Sequence, residues 1–139
     1  MPDPVYLGFD FGYKRIGVAV GQKLTATATP LSTLKAEAGV PRWELIAALI
    51  AKWQPAALIA GLPTRADGGN LYVTKPAKRF ANALKNQFEL PVFLVDERLS
   101  TVEARAQLFA EGGFKKLKKA EVDSMAACVI LEQWLQDTE

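Results

Sequence analysis

Among its 139 residues the chain has no histidine and only one cysteine. Without histidine, the side chain that most often moves protons near neutral pH is missing, and so is the usual nitrogen ligand of zinc. The lone Cys128 excludes an internal disulfide. It lies in the apolar run from Met125 to Leu131, where a small buried hydrophobe is its expected role. No apolar stretch approaches the roughly 20 residues of a membrane helix, and Met1-Pro2-Asp3-Pro4 opens the sequence without the basic-then-apolar pattern of an export signal. A cytoplasmic protein with no membrane partner is the expectation. Internal repeats and low-complexity tracts are absent as well. Gly8, Gly12 and Gly17 do not have the spacing of a dinucleotide fingerprint, and no phosphate-loop lysine motif occurs. Asp10-Phe11-Gly12 matches a kinase metal-binding triplet, but the glycine loop, the catalytic loop and most of the length a kinase needs are missing.

What is present is ordinary globular composition, 50% apolar and 23% charged, in a length that suits one domain over 1–139. At this size about two thirds of the unfolded surface is buried, enough for one real core. Seventeen basic against fifteen acidic residues leave a net charge of +2, which permits a nucleic-acid partner without arguing for one.

The apolar pattern divides the chain into a hairpin followed by alternating helices and strands. Val5 to Phe11 and Ile16 to Val20 read as two strands joined by a tight turn, and a third is expected near Thr27 to Leu34, with Pro30 favouring an edge or an irregularity. Leu45, Ile46, Leu49, Ile50 and Trp53 recur at helical spacing between Pro41 and Gln54, with Pro41 suited to a first helical turn. Ala57 to Leu62 and Pro91 to Val95 read as buried strands, the first followed by a polar loop through Asn70. A helix from about Lys75 to Phe88 directs Ala77, Phe80, Ala81, Leu84 and Phe88 inward. Ser100 and Glu103 form a capping box for a helix to about Ala110, stopped by Gly112-Gly113, and a last helix runs from about Glu121 to Leu135. The result is an α/β chain with a mixed sheet and helices on its faces.

Three acids fall where these elements end. Val5, Leu7 and Phe9 alternate toward one face, which leaves Asp10 on the other with Tyr6 and Gly8, at the end of the first strand. Asp96-Glu97-Arg98 follows a buried strand, at the end where open α/β sheets place their ligand crevices, and either acid of the pair could belong to a site or pair with Arg98. Asp123 stands in the first turn of the last helix, where the dipole favours an acid, yet helical spacing also aligns it with Ala126, Ala127, Ile130 and Trp134, a row that otherwise packs. Each acid has a bland structural reading, but together they would repel unless cations joined them. With no nitrogen donors and a single thiol, an oxygen-only site suits Mg²⁺ or Mn²⁺ rather than zinc. Basic residues border the same places. Lys14 and Arg15 follow Asp10, and Lys115, Lys116, Lys118 and Lys119 precede Asp123, a placement that suits a polyanion crossing the site.

The ordered motifs carry a further meaning. Asp10-Phe-Gly-Tyr-Lys14-Arg15-Ile-Gly17-Val-Ala-Val, Gly61-Leu-Pro63 with Asp67-Gly68, Asp96-Glu97-Arg98-Leu-Ser100-Thr101-Val-Glu-Ala104 and Val122-Asp123-Ser-Met-Ala126-Ala127 together span nearly the whole chain. In this order they resemble the YqgF family, also called RuvX, of pre-16S rRNA nucleases. The resemblance implies a ribonuclease H-like fold, a mixed central sheet with an antiparallel hairpin plus parallel strands. It selects Glu97 over Asp96 and makes Asp10, Glu97 and Asp123 the metal-binding catalytic acids. The family role it implies is endonucleolytic maturation of the 5′ end of precursor 16S rRNA in the bacterial cytoplasm, where ribosomal particles are candidate partners. The implied fold is shared with Holliday-junction resolvases, so structured DNA is the rival substrate. Gly21-Gln22 and Arg65 depart from the family's more usual Ser-Asp and Asn, away from the three acids.

The chemistry expected is in-line attack on phosphorus by a metal-activated water, a second cation about 4 Å away steadying the leaving 3′ oxygen. Lys14, Arg15 or Arg98 would steady the charge on the phosphate. A non-enzymatic alternative is an RNA-binding assembly factor whose acids hold a structural ion.

Overall fold

Alternation of Val5, Leu7 and Phe9 against Tyr6 and Gly8 becomes the central strand of a six-stranded sheet. A computed structural model of the chain describes residues 4–64, 73–98 and 119–137. In chain order it contains β1 (Val5–Asp10), β2 (Arg15–Gln22), β3 (Thr27–Glu37), β4 (Val40–Pro41), α1 (Trp43–Trp53), β5 (Ala57–Thr64), α2 (Thr74–Phe88), β6 (Val92–Arg98) and α3 (Lys119–Asp137). The strand order is β4-β3-β2-β1-β5-β6. β1 to β4 pair antiparallel, while β1, β5 and β6 run parallel. The mixed sheet expected from the sequence is therefore present. The expected helix from Ser100 to Ala110 and the polar loop from 65 to Asn70 lie outside the described residues.

The sheet separates two apolar layers. Leu7, Phe9, Ile16, Val18, Leu34 and Leu58 pack with Ile46 of α1 and with Ala77, Phe80 and Leu84 of α2. Phe80 is the hub of this layer, meeting Phe9 edge-on at 5.8 Å and stacking on Trp43 at 5.8 Å, contacts of the kind that add about 0.5–1.5 kcal/mol beyond burial. On the other face Ala19, Ile59 and Val95 lie under Ala127, Cys128, Ile130, Leu131 and Leu135 of α3. Helices thus cover both faces.

Two local expectations change. Pro41 does not begin α1 but pairs with Ala36 in β4, and the helix starts at Trp43. A two-residue strand at the sheet's edge tolerates a proline, since its missing N–H is not needed by a further neighbour. Pro30 does lie in a strand that is an edge along most of its length, but it keeps its register opposite Ala19. The irregularity comes later, where Ile16 faces Leu34 and Val18 faces Leu31. One extra residue therefore bulges from β3 in this interval, reversing which of its residues face which side.

The seating of α3 depends on glycine. A Cβ on Gly8 would stand 2.9 Å from Leu131 Cβ and 3.3 Å from the carbonyl oxygen of Ala127, and one on Gly21 would stand 3.0 Å from a Leu131 methyl. At Gly8 the helix itself would have to move, whereas at Gly21 the nearest atom is the carbonyl oxygen of Thr27 in β3, at 2.8 Å. Gly8→Ala should accordingly lower stability by about 1–3 kcal/mol, the usual cost of overpacking. A urea midpoint that falls with an unchanged denaturant slope is the expected result, and an unaltered midpoint would contradict this close approach.

Candidate functional site at the carboxyl edge of the sheet

Three parallel strands end on one edge. The register runs Phe9, Ala60, Leu94 across β1, β5 and β6, with Gly61 beside Val95 and Pro63 beside Glu97 in the rows that follow. Asp10 closes β1 opposite Gly17 and is half-buried. By strand spacing and rise, the backbones at Asp10 and Glu97 are about 12 Å apart, on the outer strands of a three-strand set. Strand alternation puts position 97 on the face of Val95, which packs in the α3 layer; Gly8 meets α3 on that same face, and Asp10 shares its parity. Asp96 has the opposite parity and is exposed. Of the two adjacent acids, it is position 97 that shares a face with Asp10.

Helix α3 brings the third acid. Ser124, fully buried, accepts a hydrogen bond from the Val18 amide at 3.3 Å and shares another with the Thr33 hydroxyl at 3.1 Å. Val18 lies opposite Phe9, so the start of α3 is pinned one residue from the end of β1. Eight residues later Glu132 accepts a hydrogen bond from the amide of Ala28, which is aligned through Gly21 with Tyr6. The helix therefore runs antiparallel to β1, with its amino end over the carboxyl ends of the parallel strands. Position 123 adjoins the Ser124 anchor and shares a helical row with Ala127 and Ile130, both fully buried. Ser124 and Thr33 were not singled out by sequence reasoning, although a serine beside Asp123 in an otherwise apolar row was the available signal.

Lys14 and Arg15 are exposed in the turn after Asp10. Backbone bonds from Ala36 N–H to Lys14 O (2.9 Å) and from Gly39 N–H to Tyr13 O (3.0 Å) tie this turn to β3 and the residues after it. Lys115, Lys116 and Lys118, and the side chains of Glu97, Arg98, Lys119 and Asp123, lie outside the described residues. Cys128 offers no alternative chemistry, because burial and then the neighbouring Glu132 charge push its thiol up to about 12. It remains a thiol at neutral pH and a poor ligand or nucleophile. A cavity of about 240 Å³ lies toward the opposite edge, bordered by Val5, Gln22, Thr27 and Trp53. Asp10 does not line it.

Replacing Ser124 with alanine leaves the buried Val18 amide and Thr33 hydroxyl without this partner, so Ser124→Ala should cost about 1–3 kcal/mol. Chemical denaturation measures this directly, and amide exchange at Val18 should accelerate. An unchanged stability would mean that the start of α3 is held by other contacts.

Comparison with known proteins gives a consistent result. A family profile described as RuvX, Holliday junction resolvase, matches residues 4–137. A Legionella pneumophila (strain Lens) protein named "Putative pre-16S rRNA nuclease" is 66% identical over 139 residues, covering 100% of each chain. Among solved structures, the chain is similar to Thermus thermophilus RuvC in complex with Holliday junction substrate, with a TM-score of 0.56 at 14% identity over 96% of this chain and 94% of the other. It is also similar to the fowlpox virus Holliday junction resolvase, with a TM-score of 0.57 at 14% identity over 95% and 98% of the two chains. At such low identity these structures speak to fold, and that fold is ribonuclease H-like.

Proposed function

The chain belongs to the RuvX family, and from that premise we propose that it is a divalent-metal-dependent endonuclease acting at the 5′ end of precursor 16S rRNA. The observation that carries this reading is the convergence of the ends of β1 and β6 with the amino end of α3, each bringing an acidic position to one edge of the sheet. The donor chemistry fits a hard cation. Asp10 is present there as a carboxylate residue, positions 97 and 123 are Glu and Asp, and the chain contains no histidine. Asp10, Glu97 and Asp123 would hold Mg²⁺ or Mn²⁺, with the three bringing charge that is stable only when neutralised. Bound there, the cations would lower the pKa of a water and neutralise charge on the phosphate.

The protein's own residues supply position and exclusion. Asp10 is carried by a central strand with both faces covered, so its backbone cannot swing away from the edge. Ser124 fixes the start of α3 and with it the approach of Asp123. Lys14 and Arg15, exposed beside Asp10, hold the sugar–phosphate chain against the site and oppose the negative charge that grows on the phosphate. Arg98 ends β6 alongside Thr64 and would act from the other flank. Lys115, Lys116, Lys118 and Lys119 would extend this basic track before Asp123. We place this work in the bacterial cytoplasm, on precursor rRNA free or within ribosomal particles, in a single domain spanning 1–139. Among the described residues no helix is long and apolar enough to cross a membrane.

A second reading, cleavage of four-way DNA junctions, is favoured by the fold likeness to junction resolvases. Purified protein offered labelled 5′-extended precursor rRNA and a four-way junction side by side, with Mg²⁺, Mn²⁺ or a chelator, separates the two. Metal-dependent cleavage of the RNA is expected; cutting of the junction alone would favour the second reading, and cleavage undiminished by chelator would overturn the metal requirement. Asp10→Asn keeps the shape and loses the charge, and should lower turnover by at least about 100-fold, the upper scale for losing even an outer-shell partner of a metal. Circular dichroism would confirm that this variant remains folded, and full activity in it would remove Asp10 from the mechanism.

A further inference from the structure

The bulge in β3 puts a cation where strand alternation from Leu31 would not. Leu31 and Leu34 both turn toward the α1 and α2 layer although they are three positions apart, an odd spacing. Residues beyond the bulge therefore have reversed parity. Thr33 meets Ser124 on the α3 face, and Lys35, two residues further along, shares that face. Directly across the ladder from Lys35 is Arg15. Both residues are exposed, and both lie on the face that also bears Asp10. The backbone at Lys35 is about 12 Å from that at Asp10 by strand spacing and rise.

Residues directly opposite one another in an antiparallel pair have their Cβ atoms only about 4.5–5.5 Å apart, close enough for one phosphate to be shared between them. Glu37 follows two residues later on the same face, yet no ion pair joins it to Lys35 among the described residues. A phosphate drawn to this pair of strands would meet an exposed cation from each, Arg15 on β2 and Lys35 on β3. We propose that Lys35, facing Arg15, is a phosphate-contacting residue that holds the substrate strand at a phosphate neighbouring the one cleaved. The occupant is a nucleic-acid sugar–phosphate backbone, recognised by charge and spacing without reading bases. This rests on the nuclease reading above and adds to it a residue and a direction, the strand leaving the acids across β2 and β3.

The test measures affinity against salt concentration in an Asp10→Asn background, which binds without cutting, for Lys35→Gln, Lys35→Arg and Lys85→Gln. Lys85 is exposed on α2, away from this face, and its replacement changes net charge by the same amount. Lys35→Gln should weaken binding several-fold on unrelated sequences, and should flatten the slope of log K on log salt by about 0.7 for a single strand or 0.9 for a duplex. Lys35→Arg should restore the slope, and Lys85→Gln should leave it unchanged. With Asp10 intact, Lys35→Gln should raise KM with kcat nearly constant, because the contact is made equally before and during reaction. The melting temperature of the free protein should hold, because Lys35 is exposed. If the parent binds and the wild type cleaves, but Lys35→Gln gives superimposable curves, the Lys35 assignment alone is overturned. If Lys35→Gln and Lys85→Gln flatten the slope equally, only net charge is at work and the assignment again falls. If the wild type neither binds nor cleaves nucleic acid, the nuclease reading falls with it.

Discussion

Helix α3 lies so close to the sheet that Gly8 has no room for a side chain, and this approach determines where the acids of the candidate site can meet. The helix is pinned at one end by Ser124, between Val18 and Thr33, and toward the other by Glu132 on the amide of Ala28. Between these anchors Ala127, Ile130 and Leu131 fill the space above β1 and β2. Ser124 is the only residue of this interface that is fully buried and polar among the described residues, so its hydrogen bonds select a position along the strand that apolar packing alone would leave free to slide. The amino end of α3 and the carboxyl end of β1 coincide because of that selection.

The consequence for chemistry is electrostatic. A strand end, a neighbouring strand end and a helix start each tolerate an acid separately, through turn formation, solvent exposure or the helix dipole. With the acidic positions brought to one edge, the proposed site would concentrate negative charge that calls for a compensating ion, beside the exposed Lys14, Arg15 and Lys35. Under the proposed function, metal ions held by the acids and the fixed cations of β2 and β3 would act on the same polyanion in different ways, the first on the reacting phosphate and the second on its neighbours.

Much of this was legible in the sequence because the signals were local. Alternation in Val5 to Asp10, the helical spacing of Ala77, Phe80, Ala81 and Leu84, and the short apolar run Ala57 to Leu62 each correspond to an element in the structure. What escaped depends on contacts between distant segments. Asp96 and Glu97 are adjacent and chemically alike, so the residues' own pattern left both open; the family resemblance chose Glu97, and the register across β1, β5 and β6 is what gives position 97 the parity of Asp10. Ser124 is unremarkable until Val18 and Thr33 are set against it. Lys35 was hidden by a one-residue bulge, since period-two alternation continued from Leu31 assigns it to the wrong face. Pro41 suited a helix start by local rules and was instead taken up by pairing with Ala36.

The central claim is that a divalent cation is held where β1, β6 and α3 converge, and paramagnetic broadening by Mn²⁺ in the amide spectrum tests it most directly. Substoichiometric Mn²⁺ should selectively broaden the amides of Gly12, Gly61, Asp96 and Ser124 at the carboxyl edge, while those of Gln22 and Leu135 at the opposite edge stay sharp. Excess Mg²⁺ should restore the lost signals. Broadening centred on Gln22 and Leu135, or spread evenly over the surface, would contradict a metal centre at this edge.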